Sequence, residues 1–600
     1  MKFLRNFLAS LLAVVVGMLV IPFIGISMLA GVVAALGDKP VVLKPESILK
    51  IDLQEPIVDS PNFDMMGNFD PMTMESISPI TLYKVLQAID AAKVDPNIKG
   101  IYLRMNGKGG IQGTALMEEL RRELEEFKAT GKFIVSYNEV YTQGSYYLAS
   151  VADKIYLTPQ GSMEWVGMAS DLMFYKGLFD KLGIKVEIFR PTVCKYKSAV
   201  EPYFLDKMSP ANREQMEALI GSMWSTISNT VAKSRNIAPE KLQEIADGLQ
   251  VSLPAEALAA GFVDGLIYED QMNDVFKELG VAENADHGYN MISLGEYASL
   301  KAMPLVMNPS NKVAVIYADG QIVDGEGAGQ QIFGNSLVEK IRRVRMDEDV
   351  KSVVLRVNSP GGSALASDII WREVELLRAV KPVIVSMGSY AASGGYYISS
   401  CSDMIMANEM TLTGSIGVFG MIPSVGKALE KNLGVTFDGV KTNKEAMMSL
   451  TRPLSAAQKA MIMRGVDGIY GRFTHLVAEG RNLDYDKVLD IAGGRVWSGA
   501  DARKIGLVDG FGGLKQAISV AVERAGMGED FSVEEITDEP DFFTELFASM
   551  NASQTSLLAK LGIRNPLAEF DPAVAKLNQI REAMSVSGTV MYCPYQIELQ

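Results

Sequence analysis

Two halves of this chain carry the same ordered set of short segments, and that duplication limits the fold more than any other feature. The segment Asp95–Gly110 (DPNIKGIYLRMNGKGG) matches Asp347–Gly362 (DEDVKSVVLRVNSPGG), 252 positions on. Lys132-Phe-Ile-Val-Ser matches Lys381-Pro-Val-Ile-Val-Ser, and Gly161–Met168 matches Gly414–Met421. Gly261-Phe-Val-Asp-Gly265 matches Gly506-Leu-Val-Asp-Gly510. Four matches in order, at a nearly constant offset, mean two homologous domains. A period this long excludes a solenoid of short repeats.

Within each repeat, short β-rich runs alternate with helical patterns. Ile98–Met105 and Val350–Val357 read as strands that end in Gly-rich turns, and Phe133–Tyr137 and Val383–Met387 as the next strands. Between them, Leu116, Leu120, Leu124 and Phe127 share one helical face. The charged residues Glu118, Glu119, Arg121, Arg122, Glu125 and Glu126 cover the other and read as a solvated face. Strand–helix–strand alternation with apolar strands predicts an α/β fold with a mainly parallel sheet flanked by helices. The expected domains are 41–285 and 310–530, joined through about 271–310, with 531–600 as an extension that has no counterpart in the other repeat.

Residues 1–40 read as an N-terminal tip and membrane anchor. Lys2 and Arg5 precede an uncharged apolar run from Phe7 to Leu36, interrupted by Pro22. A bilayer-spanning helix needs about 20 apolar residues. A cleaved signal peptide is the rival reading, but its apolar region is typically about 7–15 residues. Basic residues in front and Asp38 behind predict a single pass with the N-terminus inside and the rest outside.

Composition narrows the chemistry. A net charge of −15 argues against nucleic acid, which needs a basic surface. The three cysteines, Cys194, Cys401 and Cys593, have no metal-ligand spacing. Only His287 and His475 are available to a histidine-based mechanism, and His475 reads as part of a helix face. No metal or organic cofactor is called for.

Three elements of the second repeat converge on one reaction type. Asn358-Ser-Pro-Gly-Gly362 follows a strand, and its glycines let backbone N–H groups turn toward a ligand. Ser393, in Ala391-Ala-Ser-Gly-Gly-Tyr396, follows the next strand and opens a helix. That is where a nucleophilic hydroxyl faces an oxyanion hole. Thr413-Gly-Ser415-Ile-Gly417 places another hydroxyl in a Gly-bounded loop. Each element alone is also an ordinary tight turn. With histidine scarce, lysine is the next candidate for the base, against the ordinary reading of any lysine as a solvated surface residue. Its reference pKa of about 10.4 must come down by about 3, a cost of about 4 kcal/mol, which burial can impose. Lys195 and Lys197 both have apolar neighbours, and composition does not choose between them.

Taken in order, Tyr196-Lys-Ser-Ala-Val-Glu-Pro202, Asn358–Gly362, Ala391–Tyr396 and Leu412–Gly417 resemble the signal peptide peptidase A family in its long, two-repeat form. The resemblance covers about residues 45 to 525. It implies tandem crotonase/Clp-protease-like domains and a serine endopeptidase with a Ser–Lys dyad. Ser393 would be the nucleophile, Lys197 rather than Lys195 the general base, and Ser415 the residue that orients the lysine. Gly361, Gly362 and Gly394 would form the oxyanion hole. It further implies signal-peptide substrates left in the membrane after export, a tetramer, and an inner-membrane protein with its catalytic domain on the periplasmic side. The rivals are a crotonase-type acyl-CoA hydratase or isomerase and an inactive peptide-binding membrane scaffold. Independently of the family, aligning Tyr146-Tyr147 with Tyr396-Tyr397 sets Ser393 against Gln143. The second repeat has no Tyr-Lys-Ser-Ala segment, and its nearest lysine is Lys444. One site per chain, between the repeats, is therefore expected.

Overall fold

The structure, a computed structural model, describes residues 42–61, 69–70, 75–76, 79–107, 109–284, 288–301, 311–537 and 588–592. The predicted membrane segment Phe7–Leu36, His287 and Cys593 lie outside them. Among the described residues no helix is long and apolar enough to cross a membrane.

Each repeat is built on its own sheet. In the first, the spatial order is Gly265–Leu266, Lys154–Met163, Phe133–Tyr141, Ile98–Leu103, Ser47–Ile51 and Met291–Ser293, and every pairing is parallel. In the second it is Val496–Ser498, Leu412–Gly414, Val383–Ala392, Val350–Ser359, Lys312–Asp319 and Ser532–Ile536. There only the outermost pair, Leu412–Gly414 with Val496–Ser498, is antiparallel. The central strands are almost continuously apolar because both faces are covered, as parallel sheets require.

Equivalent contacts recur in the two halves. Tyr146 donates to the carbonyl of Phe262, and Tyr396 to that of Leu507. Asp264 accepts from the Ile155 N–H, and Asp509 from the Ile405 N–H. The Gly-x-Val-Asp-Gly motif is thus a strand cap that ties the sheet to its last crossover. Each half also has a 26-residue helix, Pro210–Arg235 and Ala456–Arg481. A serine caps the start of both, Ser209 and Ser455, and a left-handed asparagine, Asn236 and Asn482, ends both.

The helix Thr114–Ala129 departs from its sequence reading. Leu116, Leu120, Leu124 and Phe127 face the core as expected, but Glu118, Glu119 and Arg121 on the charged side are buried too. For Glu118 and Glu119 the reason is the second repeat, which covers that side, whereas Arg121 is buried within its own repeat, where it donates to the Tyr147 carbonyl, Ser150 and Ser234. Glu118 accepts from the N–H groups of Met410 and Glu409. Glu119 accepts from the Leu514 N–H and the Asn408 amide, and pairs with Arg356 at 2.9 Å. Arg356 also reaches Asp59 of the first repeat at 2.8 Å. The charges are therefore the joint between the halves.

Burial pushes the Glu118 carboxyl up to about 8, against the pull of the Met410 N–H and Arg122. The folded state then holds a proton that the unfolded chain releases near 4.5. Stability is expected to fall as pH rises from about 4.5 to about 8 and to level off above that. Glu118→Gln should flatten this slope, as read from urea midpoints across the range.

A third, mixed sheet lies between the repeats, in the order Gln331–Phe333, Gln321–Val323, Gly361–Ser363, Gly588–Tyr592, Phe419–Ser424 and Lys185–Phe189. Lys185–Phe189, from the first half, pairs antiparallel with Phe419–Ser424 from the second. That pairing carries the next segment of the first half, which includes Lys197, into the second half.

Candidate active site

Ser393 stands where the strand Val383–Ala392 gives way to the helix Gly394–Ser399. Its backbone is at φ 57°, ψ −112°, a conformation that L-residues rarely adopt. Strain of this kind persists only where surrounding contacts hold it. Here the Ser393 N–H donates to the Gly414 carbonyl at 2.8 Å, and its carbonyl accepts from the Tyr397 N–H. The result is a fully buried hydroxyl at a sharp turn.

Lys197 comes from a loop of the first half, and its side chain is 1% exposed. Its Nζ lies 2.7 Å from Ser393 Oγ, 2.9 Å from Ser415 Oγ and 3.0 Å from the Ser415 carbonyl oxygen. Lys197 Nζ thus donates to Ser393 Oγ, to Ser415 Oγ and to the Ser415 carbonyl, which draws the two serines together around one amine. Ser415 in turn donates to the Gly494 carbonyl at 3.3 Å. Lys195 is exposed, with its ammonium over the Tyr196 ring. Lys444 is exposed as well.

The glycines sit beside this group. Gly361, at φ +99°, has a conformation that glycine adopts without penalty. A Cβ on Gly394 would lie 3.1 Å from Gly361 Cα and 3.2 Å from Gly362 N, so the two turns are in contact. The Gly361 N–H donates to Ser359 Oγ at 3.1 Å, and Ser359 donates to the Gly320 carbonyl.

Sequence reasoning missed the residues that hold Lys197. Arg190 donates to the Lys197 carbonyl, and the Tyr196 N–H donates to the Gly493 carbonyl. Gln215 donates to Ser198 Oγ and the Tyr196 carbonyl and accepts from the Val496 N–H, clamping the lysine segment to the second half. Nothing in the sequence singles out Gln215. Gly493-Gly494 is one of several glycine pairs in the chain, and only the fold brings it to the lysine. A Cβ on Gly494, which is at φ +82°, would fall 2.5 Å from Lys197 Cβ. Gly494→Ala is expected to displace the amine and to lower kcat/KM by about 10²-fold, and its left-handed backbone and the contact with the Lys197 main chain should lower the unfolding midpoint as well.

The first half shows the same place closed. Gln143, set against Ser393, accepts from the N–H groups of Val166 and Gly167 and donates to the Gly167 carbonyl. His475 stacks on Tyr485 at 4.2 Å, away from this chemistry. Cys194 is buried, and burial pushes its thiol up to about 11. One acidic group, Asp90, Glu123 and Glu126, gathers carboxylates closely, but Lys93 and Lys515 already pair with it.

The Peptidase family S49 model matches residues 126–282 and 375–528, once in each repeat. The chain belongs to peptidase family S49 and is a serine peptidase. It is similar to Protease 4 of Salmonella typhi, 38% identical over 525 residues, covering 85% of this chain and 83% of that one. Protease 4 of Haemophilus influenzae is 35% identical over 535 residues, covering 86% and 85%. The chloroplastic serine protease SPPA of Arabidopsis thaliana is 32% identical over 459 residues, covering 75% and 66%.

Proposed function

We propose that this chain is a membrane-anchored endopeptidase that hydrolyses remnant signal peptides after export, with Ser393 as nucleophile and Lys197 as general base. The observation that carries this reading is the 2.7 Å contact between Lys197 Nζ and Ser393 Oγ, made across the two repeats. Neutral Lys197 takes the Ser393 proton as Oγ attacks the peptide carbonyl. The N–H groups of Gly362 and Gly394 stabilise the oxyanion, while Gly361, whose own N–H faces Ser359, shapes the turn. Lys197 then protonates the leaving amine and activates the water that releases the acyl group. Ser415 fixes the amine throughout. The Clp/crotonase-like fold, the tetramer and the periplasmic placement of the catalytic part belong to the same reading, as does a division into two repeats whose sheets reach Met291–Ser293 and Ser532–Ile536, past the expected bounds of 285 and 530. The resemblance of the motif set supports signal peptides as the substrate class. An extended peptide would enter as a strand beside Gly361–Ser363, a common mode of peptide recognition.

A serine-reactive fluorophosphonate is the direct test. It should label the chain at Ser393, and Ser393→Ala should abolish the label. Undiminished labelling of Ser393→Ala, or labelling at another serine, would overturn the assignment.

A further inference from the structure

The strand Gly588–Tyr592 sits between Gly361–Ser363 and Phe419–Ser424. It pairs antiparallel with both: Gly361 with Tyr592, Gly362 with Met591 and Ser363 with Val590 on one side, and Phe419 with Val590, Gly420 with Thr589 and Met421 with Gly588 on the other. Without it, the two flanking strands would face each other across a slot two strand spacings wide, about 9–10 Å. Such a slot takes one extended peptide and leaves its own backbone donors and acceptors unpaired when empty.

The slot runs past the candidate nucleophile. Gly361 and Gly362 form one wall, and the turn at Ser393-Gly394 is in contact with them. The segment from 588 to 597, GTVMYCPYQI, has no charged residue, and the first charge after Gly588 is Glu598. In chemistry it is an uncharged, apolar peptide, the same class as the substrate proposed above.

We infer that the strand Gly588–Tyr592 is an intramolecular occupant of the substrate slot that competes with incoming peptide. This rests on the reading of the slot as the substrate site. A tethered competitor presents itself at an effective concentration fixed by its linker, so it holds off weakly bound peptides and yields to tight ones. Substrate entry therefore requires Gly588–Tyr592 to leave, and the slot is filled whenever substrate is scarce. The backbone pairing is independent of side-chain identity, so an exogenous peptide can take over the same ladder.

The test compares the full chain with one ending at Ser587, using a short apolar reporter peptide. Removal of residues 588 onward should lower the apparent KM by about tenfold or more and leave kcat unchanged. Val590→Pro, which removes the donor at the residue paired on both sides, should reproduce the shift without shortening the chain. A synthetic peptide of residues 588–600 should bind the shortened Ser393→Ala chain in fluorescence anisotropy and compete with the reporter. Equal KM values in all three chains, or no binding of the synthetic peptide, would overturn the proposal. Binding is read on a chain without the nucleophile, so it stands or falls separately from the assignment of Ser393. If both chains lack fluorophosphonate labelling yet the peptide binds, the peptidase assignment fails and the occupancy stands.

Discussion

Lys197→Ala should lower kcat/KM for peptide hydrolysis by about 10⁴-fold. Ser393 remains in the sequence of this variant, so the loss reports removal of the lysine, amine and stem together. The Ser393 Oγ would keep its position at the turn but lose the amine 2.7 Å away. A buried lysine stem also fills space, so Lys197→Met is the informative companion. Methionine retains most of the volume and cannot accept a proton. Both variants should lose activity to a similar degree, and Lys197→Met should keep the unfolding midpoint of the parent more closely. Retained hydrolysis in either would eliminate Lys197 as the base. Measured single-turnover rates are the cleaner readout, since they separate acylation from release.

The second large effect falls on stability. Glu119→Ala is expected to cost about 3–5 kcal/mol, because it breaks a buried pair and leaves Arg356 short of an anion. Glu119 also accepts from the Leu514 N–H and the Asn408 amide, so those donors are orphaned together. Glu119→Gln keeps an acceptor at the same place and should cost less. The urea midpoint gives the size of the effect. Activity should fall with it near the transition, since Lys197 and Ser393 are contributed by different halves. A neutral outcome for Glu119→Ala would mean that the joint is held by its apolar contacts alone.

Much of the fold could be read from residue order. The duplication was visible because strands with buried faces tolerate few residue types, so the apolar runs at Ile98 and Val350 stayed alike. The same property made the parallel sheet legible. The charged helix face was misread for a physical reason. A run of Glu and Arg looks the same whether it meets water or a set of backbone N–H groups from a second domain. What separates the cases is the partner, here Met410, Glu409 and Leu514, hundreds of positions away. Ser393 stood out as a glycine-bounded serine at a strand end, whereas Lys197 separated from Lys195 only through the family resemblance of its segment. Gln215 did not stand out, since amide clamps of that kind occur throughout any chain. The pairing of Gly588–Tyr592 was equally hidden: a short uncharged run carries no mark of which edge it will join.

The closed place at Gln143 has a consequence for how such a chain changes over time. Copies of a domain begin as spares for one another, and these two no longer are. A serine restored at 143 would meet no amine, because the loop bearing Lys197 serves the opposite half and Lys444 faces solvent. The doubling has become a ratchet. On the proposed dyad, loss of either half removes one of Ser393 and Lys197, and a single substitution at Gln143 does not rebuild a second centre.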